Sequence, residues 1–76
     1  MLVQTVTPSI VFSRVPRETK DRDDLMRAFF KAFNVTLELA EICREPVFVI
    51  YGKSITDMLR LRMRGYIDGW SDARGV

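Results

Sequence analysis

The feature that most constrains this chain is the run Val47-Phe48-Val49-Ile50-Tyr51, β-branched or aromatic at every position and bounded by Pro46 and Gly52. That composition and length predict a short buried strand over 46–51. Pro46 disfavours helical geometry at Glu45, so a helix arriving from the N-terminal side has to stop there. The flanking segments carry apolar residues at helical spacing. They predict helix one over 21–44 and helix two over 54–74. Asp21, Asp23 and Asp24 suit the positive end of the first helix dipole. Ser54, with Asp57 three residues on, reads as a variant capping box for the second helix, and Gly75 as its end.

Residues 1–20 read as an extended arm or edge strand. Val3, Thr5, Val6, Thr7, Ile10, Val11, Phe12 and Val15 are β-formers, but Pro8 interrupts them, which makes Ser9–Val15 the expected strand. The charged stretch from Pro16 to Asp24 is an exposed connection. With no internal repeat and no linker, the 76 residues make one domain over 1–76. The expected class is α+β, in the order β-α-β-α, with two long antiparallel helices and two short strands. An all-α helical hairpin with an extended N-terminal arm is the alternative.

A helix over 21–44 has an apolar arc of roughly 240°, counting Leu25, Met26, Phe29, Phe30, Phe33, Val35, Leu37, Leu39 and Ile42; packing on a single core requires little more than ~100°. So short a chain buries only about 60% of the surface its unfolded form exposes, so part of this arc is expected to face a partner. Helix two carries the stripe Ile55, Leu59, Met63, Tyr66, Trp70 and Ala73, expected to pack on helix one. Beside it lie Met58, Arg62, Gly65 and Gly69. Glycine inside a helix costs about 1 kcal/mol relative to alanine, so this pair predicts a close approach by another element, within the chain or from a partner. The expected protein contacts are therefore Phe29, Phe30, Phe33, Arg62, Gly65, Gly69 and Trp70, aromatic and arginine residues of the kind that dominate interfaces.

Chemistry is thinly represented. The sequence has no histidine and a single cysteine, Cys43, expected at the end of helix one as an inert, buried or semi-buried thiol. That removes a disulfide framework, multi-cysteine zinc sites and imidazole catalysis. Gly52-Lys53-Ser54 has the ending of a phosphate-binding loop, but the glycine required five residues earlier is Val47. No carboxylate pair stands in an apolar setting. The expectation is a protein without enzymatic activity, cofactor or metal. No apolar run approaches a membrane span, and residues 1–8 lack a signal-peptide pattern, so a cytoplasmic protein is expected.

Gly52-Lys53-Ser54-Ile55-Thr56-Asp57-Met58-Leu59-Arg60 resembles the turn and second-helix start of the ribbon–helix–helix repressors. The resemblance covers this stretch alone. It implies a dimeric DNA-binding regulator with Arg14, Arg17, Lys20 and Lys53 on phosphates. The run before Gly52 departs from that family, which has a helix there. The reading placed first is a small accessory protein that docks on a protein target, or on a second copy, and modulates or inhibits it. Chains of this size without catalytic groups are often accessory or inhibitory proteins of bacteria and phages, an analogy from size.

Overall fold

The computed structural model describes residues 8–52 and 54–76; the expected β-formers at 3–7, and Lys53, lie outside them. The elements run β1 (Pro8–Phe12), α1 (Thr19–Phe33), β2 (Glu38–Ile42), β3 (Glu45–Tyr51) and α2 (Asp57–Arg74). The class is α+β, as the sequence indicated, with one strand more than expected. The three strands form an antiparallel sheet in the order β1-β3-β2. The strongest sequence signal therefore sits at the centre. Val47, Phe48, Val49 and Ile50 are all buried.

Directly paired residues of an antiparallel sheet point to one face. Ile10 pairs with Ile50 and Phe12 with Phe48, and these four join Leu25 and Phe29 of α1 and Met63 and Ile67 of α2 in one core. Both helices thus cover the same face. At the centre is Phe29, fully buried, with ring centroids 6.4 Å from Phe12, 4.7 Å from Phe33 and 6.1 Å from Tyr66. One side chain ties β1 to both helices.

Helix one is shorter than expected and begins earlier. It ends at Phe33, where Asn34 adopts the left-handed conformation (φ 56°, ψ 34°) and its N–H donates to the Phe30 carbonyl at 2.7 Å. Asparagine tolerates that conformation at a helix C-terminus better than other non-glycine residues. The segment expected to extend helix one to residue 44 is instead a connection and β2. Val35 and Leu37 are buried in the core, but from the connection between α1 and β2 and not from a helix. The wide apolar arc is therefore two separate surfaces, one on a helix and one on a strand.

The β2–β3 hairpin turns through Cys43 and Arg44, whose φ values are 51° and 67°. Two central residues with positive φ are the requirement of a type I′ turn, usually met by Asn-Gly. Cys43 is thus an exposed turn residue rather than a buried thiol at a helix end.

Helix two starts at Asp57, three residues after the expected cap. Thr56 caps it, its hydroxyl accepting from the Leu59 N–H at 3.2 Å. Its end agrees with the sequence. Gly75 is left-handed, its N–H donating to the Asp72 carbonyl and that of Val76 to Ser71, a Schellman motif. Met63 and Ile67 are its buried centre, with Ile55, Leu59, Tyr66 and Trp70 packed around them; Ala73 is exposed.

Candidate functional site

Among the described residues, β1 and β2 are the two edges of the sheet. At the β1 edge the first half of the strand is irregular, with Pro8 and a shift of register between Pro8 and Ile10, and the second half pairs evenly. Both features discourage further pairing at the N-terminal half only. Two residues beyond β1, Arg14 reaches α2. Its guanidinium donates to the Asp72 carboxylate at 2.6 Å and stands 3.6 Å from Asp68. The hydrogen bond to Asp72 raises the Arg14 pKa further, helped by the charges of Asp72 and Asp68.

Between β1 and α2 lies a groove of about 550 Å³, lined by Val11, Arg14, Arg60, Leu61, Arg64 and Asp68, among others. Leu61 is 66% exposed and Val11 45%. Arg60 has only a 3.7 Å contact with the exposed Asp57, and Arg64 forms no ion pair among the described residues. Arg14 faces two carboxylates, Asp68 and Asp72, and Asp57 lies beside Arg60, so with Arg64 this side sets three guanidinium groups among three carboxylates. A strand edge adds backbone donors and acceptors to the exposed Leu61 and to the guanidinium groups of Arg60 and Arg64. That combination suits an extended polypeptide better than a small molecule.

The sequence-derived contact residues are scattered. Phe29 is withdrawn from the surface altogether, and Phe33 and Trp70 are partly buried against the core, with the Arg74 guanidinium 4.3 Å from the Trp70 ring centroid. Of the three phenylalanines only Phe30 is substantially exposed, at 48%. Arg62, Gly65 and Gly69 are exposed on the outer side of α2. A Cβ added at either glycine meets nothing within 4 Å, so no element among the described residues requires them. Arg60, Leu61 and Arg64 are not among the contact residues that the sequence indicated; the signal for them is a leucine set among arginines in Arg60-Leu61-Arg62.

For the DNA-contact set, Arg14 is committed to α2, Arg17 and Lys20 are exposed, and Lys53 lies outside the described residues. The ribbon–helix–helix topology is not the one formed, because Gly52 follows a strand and β1 pairs with β3 of its own chain. Among the described residues no cluster of three acidic or cysteine side chains could hold a metal, and no helix is long and apolar enough to cross a membrane.

No family model, curated protein or solved structure matches this chain.

Proposed function

We propose that this protein is a non-enzymatic binding module that docks on a protein target through the β1–α2 groove and modulates or inhibits it. The observation that carries the reading is the exposed Leu61 between Arg60 and Arg64, facing a strand edge across an open groove. Exposed leucine flanked by arginine beside unpaired backbone offers burial, charge and hydrogen bonding together. The accessory role follows from dimensions: a partner adds the buried area that a chain of 76 residues lacks.

The test is a photo-crosslinking side chain at position 61 in the native host, with positions 30 and 44 as comparisons. The reading expects one protein captured at 61, and expects Arg64→Glu to weaken the purified pair about tenfold or more. Capture at position 30 alone would move the docking surface to α1 and refute the groove.

A further inference from the structure

We draw no further inference here: the strongest candidate, the helix-free face of the sheet, where Val11 and Ile42 stand exposed on either side of Val47 and Val49, is an apolar face for which nothing among the described residues shows what covers it.

Discussion

The two flanks of the sheet are held by different means. On the β1 side, Phe12 packs edge-on to Phe29, which also meets Tyr66, while Arg14 clasps the last turns of α2 from outside. On the β2 side, Leu37 is buried just ahead of the strand, and the hairpin closes through two residues in a conformation that favours glycine and asparagine. The first flank is anchored to both helices; the second depends mainly on pairing with β3. An edge secured by packing can hold a rigid groove, whereas an edge secured by backbone pairing presents its own side chains to whatever approaches.

The largest expected effect falls on the anchored flank. Phe29→Ala removes the shared ring of β1, α1 and α2, at a cost of about 3–5 kcal/mol, comparable to the whole stability of a small domain. Urea unfolding should show a largely unfolded chain. A loss below ~1 kcal/mol would mean that β1 is held by other contacts.

Next comes the strained turn. Cys43→Asn with Arg44→Gly supplies the residues that two positive φ values favour, and should stabilise the hairpin by about 1–2 kcal/mol. The gain should appear as a higher urea midpoint at unchanged slope, and no gain would show that the turn is not of the I′ kind.

Smaller again is Gly65→Ala on α2. With helical backbone and open space around the new Cβ, it should add about 0.5–1 kcal/mol in thermal unfolding. If the outer side of α2 is also a contact, the same change should weaken partner capture while it raises stability, which separates fold from function at one residue.

Smallest is Asp72→Ala, which removes the closest partner of an exposed arginine. Surface pairs contribute little, so the melting temperature should scarcely move. On the alkaline side, the hydrogen bond to Asp72 raises the Arg14 pKa above its ordinary value, so the guanidinium's share of the clasp is lost only as the pH rises through that raised value. A melting temperature that drops sharply on this substitution would make Arg14 a structural anchor rather than a trim on the groove.

Local sequence alone determined the central strand and most of α2. Val47–Ile50 have no competing helical reading between Pro46 and Gly52, and the spacing of Leu59, Met63, Tyr66 and Trp70, with Gly75 after them, specifies both the face and the end of the helix. Tertiary structure decided residues 34–44. Glu38, Leu39, Ala40 and Glu41 are helix formers by intrinsic preference, yet they pair as a strand because β3, buried at the sheet centre, has backbone groups on both sides that require partners. Cys43-Arg44 carries no turn signal in its residue types, so only the closed ladder reveals the hairpin. The groove followed the same logic. Arg60, Leu61 and Arg64 form the wall of a groove only because β1 lies beside them, and β1 comes there only through long-range pairing with a strand almost forty residues away.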